Sequence, residues 1–283
     1  MKLCWFNKNR LGVVVGDEVL DVTKALAALP IPHYPGIFGD SLIANLSQVT
    51  SAIEELKQRA PRYSVGSVNF LSPVACPSKI IGVPVNYSDH VREAKESPVF
   101  KQYEGGVEDQ GLFLKASSSL VGCSQGVQLR FPERETHHEI ELGVVIGKRA
   151  SNVSEKDALS HIAGYAIALD MTIRGKEDRS FRKSVDSYSV LGPWLTTVDE
   201  IADPQALALS LSVNGSIRQQ SNTSNMIMGI ARQISWASSY YTLLPGDIIM
   251  TGTCEGVGRV VAGDVMHAII EGLGTMTVEV TNF

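Results

Sequence analysis

Glu139 and Glu141 stand two apart in the run His137-His138-Glu139-Ile140-Glu141-Leu142-Gly143-Val144-Val145-Ile146-Gly147. From Glu139 onward this run reads as a strand, in which alternate side chains share a face. The two carboxylates then point one way and Ile140 and Leu142 the other. Like charges this close on a mostly apolar strand are costly to bury unless something positive lies between them. A second apolar run, residues 163–169, ends abruptly in Asp170, which reads as a third carboxylate of the same site. Three carboxylates without a thiolate suit a hard divalent cation, Mg²⁺ or Mn²⁺ more than Zn²⁺. An edge strand that turns both glutamates to water would show the same alternation. Ahead of this run, Ser88 can cap a short helix carrying His90 and Glu93. Three apart, these two share a helix face, and a histidine oriented by a carboxylate is a general-base arrangement. An incidental pair on a surface helix has the same spacing.

The elements that must position these groups follow from the pattern. Residues 1–72 read as a small separate unit of short strands, followed by a helix capped by Asp40 with Leu42, Leu46, Val49, Ile53 and Leu56 at helical spacing. Pro30, Pro32 and Pro35 interrupt it. Residues 78–283 carry the chemistry. Residues 79–85 read as a buried strand leading to His90, and residues 96–110, with Pro98 and Gly105-Gly106, as a loop that is either a lid or disordered. Residues 171–190 are polar and irregular. Residues 207–219 form a hairpin about Asn214-Gly215. A helix is expected from Ser224 or Asn225, with Met226, Ile230, Ile234, Ala237 and Tyr241 along one face. Pro245-Gly246-Asp247 turns into the strand Ile248-Ile249-Met250, and a glycine-rich loop follows that lacks the lysine of a P-loop.

The 283 residues are 44% hydrophobic and 19% charged, an ordinary globular composition. A net charge of −5 argues against a nucleic-acid or anionic-membrane partner. No apolar run approaches the ~20 residues that span a bilayer, and no secretory signal is visible. Cys4, Cys76, Cys123 and Cys254 are widely spaced without a Cys-x-x-Cys pair, consistent with reduced thiols in a cytoplasmic protein.

Several motifs occur in one order: Gly-Val-Pro-Val-Asn-Tyr-Ser-Asp-His (82–90), Phe-Leu-Lys (113–115), the glutamate run (137–147), Gly-Tyr-Ala-Ile-Ala-Leu-Asp-Met-Thr-Ile-Arg (164–174), Leu-Gly-Pro-Trp (191–194), Val-Asn-Gly (213–215) and Pro-Gly-Asp-Ile-Ile-Met-Thr-Gly-Thr (245–253). As a set they resemble the fumarylacetoacetate hydrolase family over residues 78–283, near its acylpyruvase and oxaloacetate decarboxylase branch. The resemblance implies an α+β, strand-rich chain. It would have the family's mixed β-roll, a small N-terminal α/β domain and a homodimeric assembly. It implies one Mg²⁺ or Mn²⁺ on Glu139, Glu141 and Asp170, with His90 and Glu93 as the dyad. Lys183 matches the family's lysine beside the substrate, and Arg174 and Thr253 match positions at the substrate's polar ends. The chain departs from the family pattern at Gly175-Lys176, after that arginine, and at Cys254, where proline is usual.

A 2-oxo acid offers a carboxylate and a keto oxygen to such a cation. In a 2,4-dioxo acid, His90 would activate water against the far carbonyl while Lys183 stabilises the oxyanion, expelling pyruvate as its enolate. Decarboxylation of oxaloacetate and isomerisation of a hydroxydienedioate pass through related enolates, so an acylpyruvate hydrolase and a lyase or isomerase are both expected readings. A non-catalytic binding protein is a third, though all three carboxylates and the dyad are present.

Overall fold

The computed structural model describes residues 1–31, 39–96 and 106–283. The expected lid therefore falls mainly on residues 97–105, outside the described residues, as do Pro32 and Pro35. The centre of the fold is an antiparallel pair, β11 (Ile140–Ile146) and β12 (Ile162–Asp170), every residue of which is buried. Such continuous apolar runs demand cover on both faces. Next to β12 lies β14 (Ser189–Thr197), and next to β11 lies β17 (Ile248–Met250), followed by β6 (Ile80–Gly82) and β7 (Phe113–Lys115).

β17 and β6 are parallel, with Ile248 opposite Ile80 and Met250 opposite Gly82. Their C-terminal ends therefore leave the sheet at the same edge. One leads into α3 (Ser88–Glu96), which carries His90, and the other into the glycine-rich loop. Ser88 is the first residue of that helix rather than its cap, and the Val91 N–H closes the first turn on the Tyr87 carbonyl.

The N-terminal strands are not a sheet of their own. β1 (Lys2–Phe6) pairs with β14, Lys2 opposite Thr196, and β2 (Arg10–Val15), β3 (Glu18–Asp21) and β4 (Arg62–Ser64) continue outward from it. The short β5 (Phe70–Leu71) pairs with β1, and β8 (Leu120–Val121) runs parallel to β14. Leu3, Leu11 and Val13 share one core with Leu191, Leu195, Ile248 and Met250. The separate unit expected over residues 1–72 is thus joined to the main sheet by both its ladder and its core. A partner about 190 residues away leaves no local trace in sequence. Asp40 caps α1 (Ser41–Ala44) as expected, and the helical run resumes after Asn45 as α2 (Leu46–Leu56).

Two smaller sheets complete the frame. β13 (Thr172–Ile173), β10 (Thr136–His138) and β18 (Gly258–Val260) form one. The other runs β16 (Ser216–Asn222), β15 (Ala208–Val213), β19 (Val265–Ile270), β20 (Gly274–Asn282) and β9 (Val127–Leu129). Asn214 and Gly215 have φ of 51° and 79°, as a type I′ hairpin requires. Ser154 caps α5 (Glu155–Ala158). The segment expected to be irregular holds α6 (Arg179–Lys183), capped by Asp178.

The later helix, α7 (Ile230–Tyr240), starts at Ile230 and not near Ser224. Its expected first turn is held open by Asn86. Met228 N donates to Asn86 Oδ1 at 2.7 Å, Asn86 Nδ2 donates to the Met228 carbonyl, and Ile227 N donates to the Asn86 carbonyl. Those bonds compete with helix formation and win because the groups are buried.

Gly82 is required by packing. A Cβ there would lie 2.1 Å from Phe113 Cζ, and the Phe113 ring in turn lies 5.3 Å from Lys183 Nζ. Gly82→Ala should cost about 1–3 kcal/mol by overpacking, read as a lowered urea midpoint, and should also reduce activity by displacing Phe113 under Lys183. A variant with unchanged midpoint and turnover would contradict this packing.

Candidate active site

The chain changes sheets at Glu139. β10 belongs to the three-stranded sheet and β11 to the large one, and Glu139 lies at the step between them. The Asp170 N–H donates to the Glu139 carbonyl at 2.9 Å, which sets the end of β12 beside the start of β11. As a result Glu139, Glu141 and Asp170, exposed by 5%, 2% and 1%, offer oxygens that all lie within 4.8 Å of one another. The alternation reading therefore holds, and the water-facing alternative does not. The three acids are inside the protein.

Cations surround two of the three. Lys183 Nζ lies 2.6 Å from both Glu139 Oε2 and Asp170 Oδ2. Arg174 Nη2 donates to Glu139 Oε1 at 3.2 Å. Lys115 Nζ pairs with Asp170 Oδ1 and donates to the Tyr188 carbonyl at 2.8 Å. Glu141 instead accepts the Gly252 N–H at 2.7 Å, and among the described residues no cationic side chain forms an ion pair with it.

The protonation preferences follow. Burial works to raise the Glu139 carboxyl, but Lys183 and Arg174 outweigh it and hold the group well below the usual carboxylate range. Burial, then the neighbouring Asp170 charge, pushes Glu141 well above that range. Burial likewise lowers Lys115 and Arg174, opposed by Asp170 and Glu139 respectively. His137 is pushed down to about 4 by burial and by Arg174, and is therefore neutral near pH 7.

His90 is buried on α3, and its Nδ1 lies 3.1 Å from Glu93 Oε2. Glu93 is half-buried and is itself held by the Gly256 N–H, at 3.1 and 3.2 Å to its two oxygens. The carboxylate beside His90 is thus itself fixed by backbone from outside its own helix.

Of the residues expected at the substrate's ends, Arg174 lies against Glu139. The Thr253 hydroxyl donates to the Ile140 carbonyl at 2.8 Å and receives Gln219 Nε2 at 2.7 Å. At Gly175 a Cβ would lie 2.2 Å from Glu177 Oε2 and 2.3 Å from Arg134 Nη2, the ends of two flexible, partly exposed side chains that can move aside, so packing does not require glycine there. Cys254 is fully buried, and burial raises its thiol to about 12, leaving it protonated. Nothing in the structure explains cysteine rather than proline there.

Two site residues escaped sequence reasoning. Lys115 ends the Phe-Leu-Lys motif, and its alternation with buried Phe113 on β7 was the available signal. Gln219 lies in a polar hairpin strand, and nothing in its neighbours marks it as buried.

Residues 79–281 match the fumarylacetoacetate (FAA) hydrolase C-terminal family. Over 284 residues the chain is 51% identical to maleylpyruvate hydrolase of Aquipseudomonas alcaligenes, spanning 99% of both proteins. It is 37% identical over 246 residues to a mitochondrial oxaloacetate tautomerase of Bos taurus, covering 82% of this chain and 75% of that one. Its fold superposes with a TM-score of 0.85 on the crystal structure of maleylpyruvate hydrolase from Sphingobium sp. SYK-6 in complex with manganese(II) and pyruvate. That protein is 39% identical, with 100% of this chain and 99% of that one covered. The matched span contains the acidic cluster, the dyad and both lysines, and with it the chain belongs to the fumarylacetoacetate hydrolase family.

Proposed function

We propose that this chain is a divalent-cation-dependent hydrolase that cleaves the carbon–carbon bond of a 2,4-dioxo acid of the maleylpyruvate type, giving pyruvate and a carboxylic acid. The observation that carries the hydrolytic reading is the His90–Glu93 pair braced by Gly256, since hydrolysis needs an activated water. The 51% identical maleylpyruvate hydrolase and the manganese–pyruvate complex of the 39% identical one support it.

The donor set fits a hard divalent cation. Three carboxylates converge within 4.8 Å, and among the described residues no cationic side chain forms a direct ion pair with Glu141. Glu139, Glu141 and Asp170 would hold Mg²⁺ or Mn²⁺, and when bound the cation supplies Lewis-acid polarisation of the substrate's 2-oxo end.

The chain's own groups do the rest. In the tautomer that donates Nδ1–H to Glu93, Nε2 carries the lone pair that takes a proton from water. The hydroxide adds to the C4 carbonyl, and Lys183 stabilises the oxyanion. The C3–C4 bond then breaks, its electron pair passing to pyruvate as the enolate, and the imidazolium returns its proton to C3. Arg174 and Thr253 flank this region as substrate-end contacts. A second reading, enol–keto isomerisation of a related 2-oxo acid, is favoured by the oxaloacetate tautomerase relative and needs no attacking water. The same family membership supports a homodimer. Free cysteines support a cytoplasmic setting, and among the described residues no helix is long and apolar enough to cross a membrane.

Replacing His90 by alanine should lower kcat on maleylpyruvate about 10²–10⁴-fold while leaving Mn²⁺ affinity unchanged. Turnover equal to the parent enzyme would remove His90 from the reaction. Steady-state assays of the same variant on oxaloacetate enol separate the two readings: retained isomerisation with lost hydrolysis assigns His90 to water activation.

Exhaustive chelation should abolish hydrolysis, and Mn²⁺ or Mg²⁺ should restore it. Full activity in the chelated protein would overturn the assignment of Glu139, Glu141 and Asp170 as ligands.

A further inference from the structure

β17 stops pairing with β11 at Gly143, opposite Met250. Toward the acidic cluster, the outward-facing N–H and carbonyl of Ile140 thus lose their strand partner. Ile140 is the residue between the two glutamates, so its peptide groups set how far apart and in what direction Glu139 and Glu141 project. Buried backbone groups of this kind need partners.

Side chains supply them. Ile140 N donates to Gln219 Oε1 at 3.1 Å, Gln219 Nε2 donates to Thr253 Oγ1 at 2.7 Å, and Thr253 Oγ1 donates to the Ile140 carbonyl at 2.8 Å. These bonds close a ring around Ile140. Gln219 is bound further by His138 Nδ1 at 2.9 Å and by the Cys254 carbonyl at 3.0 Å.

A bulge delivers Gln219 to this place. In the β15–β16 ladder Leu211 faces Gln219, but the next pair is Ser212 with Ile217, so Arg218 is an extra residue. A bulge re-aims the side chains beside it. In β16 Gln219 is buried while its flanking residues are exposed. The bulge reaches the dyad as well. A Cβ at Gly256, whose φ is +87°, would lie 2.0 Å from the Arg218 carbonyl, and it is the Gly256 N–H that holds Glu93.

We infer that Gln219 is a positioning residue: through the ring it shares with Thr253 and Ile140, it fixes the spacing and aim of Glu139 and Glu141 toward the cation. The inference rests on the reading of those glutamates as ligands. Groups behind metal ligands typically tune affinity or activity by tenfold or more.

Mn²⁺ titration of the chelated protein, followed by the electron paramagnetic resonance of free Mn²⁺, tests it without turnover. Gln219→Leu keeps the volume and removes the ring; its Mn²⁺ affinity should fall about 10–100-fold. Thr253→Val opens the ring at another point, so the test survives if the leucine variant fails to fold. It should weaken Mn²⁺ similarly, whereas Thr253→Ser, which keeps the hydroxyl, should restore affinity to within about threefold of the parent. A merely structural role would lower the unfolding midpoint equally in folded variants without this serine–valine split. Parent protein that binds no Mn²⁺ overturns the ligand reading and the inference with it. Parent binding with Thr253→Val and folded Gln219→Leu unchanged overturns the inference alone.

Discussion

Three carboxylates whose oxygens lie within 4.8 Å repel one another by roughly 3–4 kcal/mol per pair at an effective dielectric of about 20. Their burial adds the cost of removing each from water. Lys183 sits between Glu139 and Asp170, Lys115 holds the other side of Asp170, and Arg174 holds Glu139. Glu141 has a backbone N–H in place of a charge. The compensation is therefore uneven: Glu141 is the acid whose charged form is least supported, and a bound cation would favour its ionisation. Much of the fold answers this constraint.

The large sheet places the three acids and His90 on common ground. β11 and β12 bring Glu139 and Glu141 beside Asp170, while the parallel pair β6 and β17 sends the His90 helix and the glycine-rich loop off the same edge. That loop contributes Gly252 to Glu141, Thr253 to Ile140 and Gly256 to Glu93. One turn of chain thus touches both the acidic cluster and the His90–Glu93 pair. The glycines permit this, since both Gly252 and Gly256 have positive φ and approach backbone or side chains too closely for a Cβ.

Much of the site was legible in sequence because its signals are local. Alternation put Glu139 and Glu141 on one face, an apolar run ending in Asp170 marked a buried acid, and spacing paired His90 with Glu93. What was not legible depends on partners far away in the chain. β1 looks like part of an independent unit until its ladder with β14 is seen. The helical pattern from Met226 is overruled by Asn86, whose carboxamide and carbonyl hold residues 227 and 228. Lys115 and Gln219 are polar residues in short strands, and only their buried partners distinguish them from surface positions.

The central claim is that Glu139, Glu141 and Asp170 share one divalent cation. Its most direct test is a crystal structure grown with Mn²⁺ and pyruvate, with anomalous diffraction recorded at the manganese edge. The account predicts one anomalous peak with an oxygen of each of the three carboxylates at bonding distance and the pyruvate beside it. A peak elsewhere, or one that leaves any of the three carboxylates uncoordinated, would contradict it.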